Sequence, residues 1–216
     1  MTSKFLTLAA ILALIIPASA INLSMPVVNY SFEVNNGFNA SSYPTATGDT
    51  TYWSVGTPIP GWNTTGYETG QWIVNGYANN PQAFDGSVLA YTNGGSIWQD
   101  VGTAMAGNLY TLQVEVLHRT DAPMTGLVQL EIGGVVVATA VGPDAGPGTW
   151  NDFTAAYTAT AADAGQTLTI LLSGNSPQAD FDFVRLDRTT PEPMTLLLLG
   201  SGLAIPALKK LRRNAR

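Results

Sequence analysis

The 216-residue sequence contains no cysteine and a single histidine, His118. The absence of cysteine excludes a disulfide scaffold, a cysteine nucleophile and a zinc–thiolate centre. With one histidine, a zinc site built on a pair of imidazoles is excluded as well. A folded chain of this composition therefore depends on burial of its core, or on a metal held by oxygen atoms, for its stability.

Lysine is also absent between residues 21 and 188, where nearly all the acidic side chains of the protein lie. The basic residues of this region are Arg119, Arg185 and Arg188. So acidic a surface repels phosphate backbones, which excludes a basic nucleic-acid-binding protein.

The first twenty residues have the pattern of a secretory signal peptide. Lys4 provides the positive charge, Phe5–Ile16 an apolar stretch, and Ala18 and Ala20 the small residues of a cleavage site. The sequence therefore predicts export of a mature chain that begins near residue 21.

The last residues combine three features in order: the motif Pro191, Glu192 and Pro193, an apolar run over Met194–Leu208, and a basic tail. The run is short for a bilayer span, and the basic tail predicts a cytoplasmic end. This arrangement resembles a PEP-CTERM sorting signal, although a plain transmembrane anchor also explains the apolar run. The resemblance implies an exported bacterial cell-envelope protein, held transiently in the inner membrane, processed by an exosortase-type enzyme and associated with exopolysaccharide or biofilm matrix.

Between the termini, residues 21–188 are predicted to form one all-β domain, an antiparallel β-sandwich, flanked by the signal peptide (1–20) and the sorting signal (189–216). Alternation of apolar and polar residues is clear over 110–118, where Gln113 and Glu115 are expected to face solvent. Two further alternating runs meet at Gly133 and Gly134, which predicts a tight hairpin. Residues 35–80 are rich in Asn, Gly, Ser, Thr, Tyr and Trp and are predicted to form a long loop-rich region.

Five short motifs in this middle region resemble those of a galactose-binding-like jelly-roll domain, the fold of many carbohydrate-binding modules. They are residues 28–33, 59–62, 85–87, 94–97 and 181–186. The resemblance implies that Glu33, at the end of the first strand, and Asp182, in the last, bind a structural calcium ion. Calcium prefers several oxygen ligands. The alternative is that both carboxylates are solvated or cap backbone N–H groups. Phe183 departs from the family pattern, which often has a second acidic or amide residue there.

Exposed aromatic rings are the usual feature of a sugar-binding surface. Trp53 and Trp72 lie in the loop-rich region, and Trp98 follows Ile97 in a predicted strand, so these three are the candidate carbohydrate-binding residues. Each could instead pin a loop to the sandwich. Trp62 and Trp150 are predicted to pack in the core.

Catalytic signals are weak. His118 stands at a strand end without a nucleophile motif, and Glu115 and Glu131 are strand residues of a kind that usually face water. The sequence therefore predicts a non-enzymatic, exported protein that binds or organises exopolysaccharide. The alternatives are a purely structural or adhesive matrix protein and a weak glycan hydrolase.

Overall fold

Alternating strand sequences build two antiparallel sheets in the computed structural model, which describes residues 20–42, 50–65, 69–174 and 177–190. Residues Asn22–Thr190 form one compact unit. The strands are β1 (Ile21–Met25), β2 (Ala40–Ser42), β3 (Thr51–Trp53), β4 (Asn63–Thr64), β5 (Thr69–Ile73), β6 (Leu89–Thr92), β7 (Ser96–Thr103), β8 (Leu109–His118), β9 (Gly126–Ile132), β10 (Val135–Thr139), β11 (Thr149–Thr158), β12 (Thr167–Gly174) and β13 (Ala179–Thr190).

The larger sheet has the strand order β11-β8-β13-β6-β5-β3-β2, with β1 paired to β13, and the smaller sheet has the order β10-β9-β12-β7-β4. The predicted all-β antiparallel sandwich is confirmed. The Gly133-Gly134 hairpin is also confirmed: Val135 pairs with Ile132, and both glycines have positive φ, 59° and 78°.

The core lies between the two sheets because every second residue of their central strands points inward. Val114 and Val116 of β8 face Leu130 of β9 and Ile170 of β12, and all four side chains are fully buried. Each such side chain contributes about 1.5–3 kcal/mol by leaving water. This burial replaces the disulfides that the chain lacks.

The region predicted to be loop-rich contains short strands. Strands β2, β3 and β5 extend the larger sheet, in which Trp53 of β3 lies opposite Trp72 of β5. Regular alternation is absent there because strands of three to five residues are too short to show a period.

The prediction that Glu115 faces solvent is wrong, since Glu115 is buried. It lies on the face of β8 opposite the core, between Asp152 of β11 and Asp182 of β13, and these neighbours cover it. Strand alternation placed its side chain on the correct face, but that face of the larger sheet is itself partly covered.

The predicted signal peptide and sorting signal lie almost entirely outside the described residues, including Ala18, Pro191, Glu192 and Pro193. Ala20 is described and exposed. The domain boundaries at 20/21 and 188/189 therefore stay predictions. No helix in the described part of the chain is long and apolar enough to cross a membrane.

Candidate active site

A cavity of about 190 Å³ opens on the outer face of the larger sheet, on the side away from the core. This volume lies below the range of about 300–1,000 Å³ of most ligand pockets, so the cavity suits a small ligand. Its walls are formed by Thr51, Trp53, Trp72, Tyr77, Tyr91, Asn93, Arg119 and Gln178. Aromatic rings dominate these walls, and a single cation is present among them.

Trp72 forms the central aromatic wall and is only 5% exposed. Its indole Nε1 donates a hydrogen bond to Thr51 Oγ1 at 2.5 Å, and Tyr77 packs edge-on against the ring with centroids 5.8 Å apart. Ala78, which follows the cavity-lining Tyr77 in the chain, has a left-handed φ of 51°, a strained conformation for a residue with a Cβ. Such strain is common at functional sites.

Arg119 lies over the Trp72 ring, with its guanidinium carbon 5.0 Å from the centroid, and is 8% exposed. Its Nε and Nη2 atoms donate to the two carboxylate oxygens of Asp121 at 2.9 and 2.8 Å. This two-pronged hydrogen bond lowers the pKa of Asp121. Asn80 Nδ2 also donates to Asp121, at 3.2 Å.

Asp180 lies directly behind the wall formed by Gln178 and Arg119, and its side chain is fully buried. Gln178 Nε2 donates to its Oδ1 at 2.6 Å, whereas Oδ2 has no hydrogen-bond partner within the described residues. Arg119 Nη1 is 3.9 Å from Oδ2, too far for a hydrogen bond. Burial raises the pKa of Asp180 to about 7, against the opposing effects of Arg119 and Gln178. Asp180 is therefore suited to carry a proton near neutral pH.

Glu33 and Asp182, the predicted calcium ligands, both bind the loop before β6. Glu33 Oε1 accepts hydrogen bonds from the N–H groups of Ser87 and Val88, at 2.8 and 2.7 Å, and Asp182 Oδ2 accepts one from Asp85 N–H at 2.9 Å. Burial raises the pKa of Asp182 to about 7, and its backbone hydrogen bonds oppose this rise. Among the residues that the structure describes, no three His, Asp or Glu side chains gather in a metal-binding group.

The three candidate sugar-binding tryptophans do not form one surface. Trp53 and Trp72 share the cavity, but Trp98 lies on β7 of the other sheet, opposite Asn63 and Leu171. Trp72 is buried, so it is not the exposed platform that the sequence predicts. Alternation with the buried Ile97 predicts which face of β7 carries Trp98. It does not predict which of the two sheets β7 joins.

The remaining tryptophans and the other titratable candidates have structural contacts. Trp62 is buried in the core, as predicted, and Trp150 is half-buried with its Nε1 donating to Gln82 O at 2.9 Å. His118 Nδ1 lies 2.6 Å from Asp144 Oδ1. Glu115 and Glu131 stand on different sheets, so they do not form a carboxylate pair on neighbouring strands.

The sequence of residues 23–187 matches the family model described as HpiC1-like, HpiC1 cyclase. The chain belongs to the HpiC1-like cyclase family. A comparison with curated proteins gave no significant match.

Solved structures of Stig cyclases share this fold. The Fischerella sp. TAU cyclase Fisc, in complex with (3Z)-3-(1-methyl-2-pyrrolidinylidene)-3H-indole, is 21% identical over 80% of this chain and 100% of its own, with a TM-score of 0.62. A cyclase from Fischerella sp. TAU in complex with 4-(1H-indol-3-yl)butan-2-one is 20% identical over 79% of this chain and 100% of its own, with a TM-score of 0.60.

Membership of this family corrects several predictions. The matching family is the HpiC1-like one, so the recognition as a PEP-CTERM protein is wrong, and the exosortase partner, the envelope localisation and the transient membrane anchor that rested on it lose their support. The non-enzymatic, exopolysaccharide-binding matrix role is wrong for the same reason, because the family is that of a cyclase.

The sequence analysis named Trp53 and Trp72 of the cavity wall as site candidates but not Tyr77, Arg119 or the buried Asp180. Asp180 alternates with Ala179 and Phe181, a pattern that any solvent-facing strand residue shows. Arg119 and Tyr77 lie in connecting segments far from it in the chain. No local signal distinguishes these three residues, because only strand pairing brings them together.

Proposed function

We propose that this protein is an enzyme that cyclises a small aromatic substrate in the cavity, with Asp180 as the proton donor. The observation that carries the proposal is the buried carboxyl group of Asp180, whose Oδ2 has no hydrogen-bond partner among the described residues, directly behind the part of the cavity wall formed by Gln178 and Arg119. Membership of a cyclase family and the indole-containing ligands of the similar Fischerella structures support it. An indole matches walls made of Trp53, Trp72 and Tyr77.

Acid-initiated cyclisation requires one proton that is later returned. Asp180 donates its proton to a π-bond of the substrate, a second π-bond attacks the resulting cation and closes the ring, and the Asp180 carboxylate removes a proton from the ring carbon. The product is an isomer of the substrate, so no atom or electron is left over. The rings of Trp72 and Tyr77 stabilise the cation through their negative faces.

Asp180 rather than Asp182 is assigned as the donor because of their partners. Both oxygens of Asp182 accept backbone N–H groups, from Asp85 and Phe183, at 2.9 and 2.7 Å. These bonds commit Asp182 to the backbone. Asp180 keeps one oxygen without a hydrogen-bond partner among the described residues, and Gln178, which donates to its other oxygen, is part of the cavity wall.

Binding and turnover of the purified full chain test the proposal separately. Titration with 4-(1H-indol-3-yl)butan-2-one should change tryptophan fluorescence, and indoles with an unsaturated side chain should yield products of identical mass and new retention time. Asp180→Asn should reduce kcat by about 10²–10⁴-fold while binding persists. Asp152→Asn, which removes a carboxylate elsewhere on the same sheet, is the matched control. Full activity of Asp180→Asn would overturn the assignment.

The proposal includes a structural calcium ion held by Glu33 and Asp182, which would use the lone pairs of their carboxylate oxygens that the backbone N–H groups of residues 85–88 and 183 leave open. The buried Asp182 carboxylate has no Lys, Arg or His within 4.0 Å in the described part of the chain, and both side chains offer the hard oxygen atoms that calcium prefers. A bound ion would neutralise Asp182 and tie the first and last motifs of the domain to the loop before β6. The same motifs support the narrower classification as a galactose-binding-like jelly roll.

A further inference from the structure

Arg119 is held in the cavity wall by one carboxylate and lies close to a second. Asp121 binds its Nε and Nη2 at 2.9 and 2.8 Å, while the remaining terminal nitrogen, Nη1, is 3.9 Å from Asp180 Oδ2. A movement of about 1 Å would bring Nη1 into hydrogen-bond distance of that oxygen. The present geometry therefore leaves Asp180 Oδ2 free only because the guanidinium is engaged elsewhere.

Asp121 is itself fixed by its neighbours. Asn80 Nδ2 donates to Asp121 Oδ1 at 3.2 Å, and Asn80 Oδ1 accepts the Thr120 N–H at 2.7 Å. The guanidinium is additionally packed over the Trp72 and Tyr77 rings, at 5.0 and 6.0 Å from their centroids. The row Asn80, Asp121, Arg119 and Trp72 thus sets the position of the only cation in the cavity wall.

We propose that Asp121 is a positioning residue that holds Arg119 flat against Trp72 and keeps its guanidinium off Asp180 Oδ2, the oxygen that the substrate must reach. This inference rests on the proposed function for its catalytic consequence but not for its geometry. Arg119 is almost fully buried, so it cannot remain without a carboxylate partner at low cost. If Asp121 is neutralised, Asp180 is the nearest remaining carboxylate, and a charge-assisted hydrogen bond from Nη1 would occupy Oδ2.

A crystal structure of Asp121→Asn tests the geometry without any substrate. We expect Arg119 Nη1 to move to within about 3.2 Å of Asp180 Oδ2. Asp121→Glu should keep the guanidinium over Trp72, and Asp152→Asn, which removes the carboxylate beside Arg185 on the same sheet, should leave Arg119 in place. An unmoved guanidinium in Asp121→Asn would refute the inference whether or not the protein proves to be a cyclase.

Kinetics of the full chain test the consequence. Asp121→Asn should lower kcat at least about tenfold with little change in KM, because Oδ2 is blocked while the aromatic walls remain. Adding Arg119→Met to that variant should recover kcat, since the blocking group is removed and an apolar stem still covers Trp72. A purely structural role for Asp121 predicts the opposite, a double variant at least as impaired as the single one.

If Asp121→Asn does not fold, Asn80→Ala offers a milder version of the same change. It removes one hydrogen bond to Asp121 and should lower kcat less, in the same direction, with recovery again on adding Arg119→Met. An unchanged kcat in folded Asn80→Ala would refute the inference. A lowered kcat that is not recovered in the folded Asn80→Ala/Arg119→Met variant would refute it as well. Loss of activity in Asp180→Asn alone, without these effects, would leave the proposed function standing and this inference wrong.

Discussion

Replacement of Trp72 by alanine should destabilise the fold strongly, because the ring is a buried wall and not an exposed platform. Trp72 is 5% exposed and belongs to a cluster with Val74, Leu89 and Tyr91. Burial of an aromatic side chain of about 150–250 Å² at about 25 cal/mol per Å² is worth about 4–6 kcal/mol as an upper estimate. Truncation of buried Trp to Ala costs about 3–5 kcal/mol in practice.

Urea or guanidinium unfolding monitored by circular dichroism measures this change as a shift in the transition midpoint. For a domain of this size, about 3–5 kcal/mol corresponds to a fall in Tm of about 6–20 °C. Trp72→Phe retains most of the packing but loses the hydrogen bond to Thr51 Oγ1, so it should cost about 1–2 kcal/mol. Trp98→Ala, on the partly exposed face of the other sheet, should cost less than Trp72→Ala. A Trp72→Ala variant within about 1 kcal/mol of the wild type would refute this reasoning.

Three further measurements examine the loop before β6 and the buried acids of the larger sheet. Chelator should lower the Tm of the wild type but not that of Asp182→Asn, because a calcium ion bound only by the native state adds stability; an identical wild-type Tm with calcium and with chelator would leave both carboxylates as loop anchors only. Gly86→Ala should destabilise the fold more than Gly107→Ala, although φ is similar at the two positions, +76° and +80°. A Cβ at residue 86 would lie 2.4 Å from the Glu33 carboxyl, whereas nothing lies within 4 Å of a Cβ at residue 107. Equal unfolding midpoints of the two variants would contradict this prediction. Burial raises the pKa of Glu115, and the charge of Asp152 adds to this rise. The stability that Glu115 contributes is therefore present below the unfolded pKa of about 4.3 and is lost as the pH rises through the higher folded pKa. Glu115→Gln should therefore gain stability relative to the wild type as the pH rises above the unfolded pKa of about 4.3, and a pH-independent difference would contradict the raised pKa.

The class of the fold follows from patterns that are local in the chain. The alternation over residues 110–118 becomes β8, and two glycines in succession become the turn between β9 and β10. Residues that alternate along one strand face opposite sides by backbone geometry alone, whatever the partner strand is. Alternation does not predict β2, β3 and β5, because these strands are too short to show it. They form because they pair with neighbouring strands of the larger sheet.

The aromatic residues show where local patterns stop. The sequence predicts correctly that Trp62 packs in the core. It also predicts that the rings of residues 35–80 are of functional interest, and Trp53, Trp72 and Tyr77 of that region line the cavity. It groups Trp98 with Trp53 and Trp72, although β7 belongs to the other sheet. Composition therefore does not show which rings share a sheet, and the exopolysaccharide-binding function inferred from exposed rings was wrong.

By itself the sequence determined an acidic, cysteine-free, all-β domain with a hydrophobic core, because those properties depend on composition and on the two-residue period of strands. Only the tertiary structure decided the site. Tyr77, Arg119 and Asp180 come from three distant parts of the chain, and the fold brings Tyr77 and Arg119 into the wall of one cavity with Asp180 behind it. The raised pKa of Asp180 has the same origin, since burial by the fold raises it to about 7 although Arg119 and Gln178 oppose the rise.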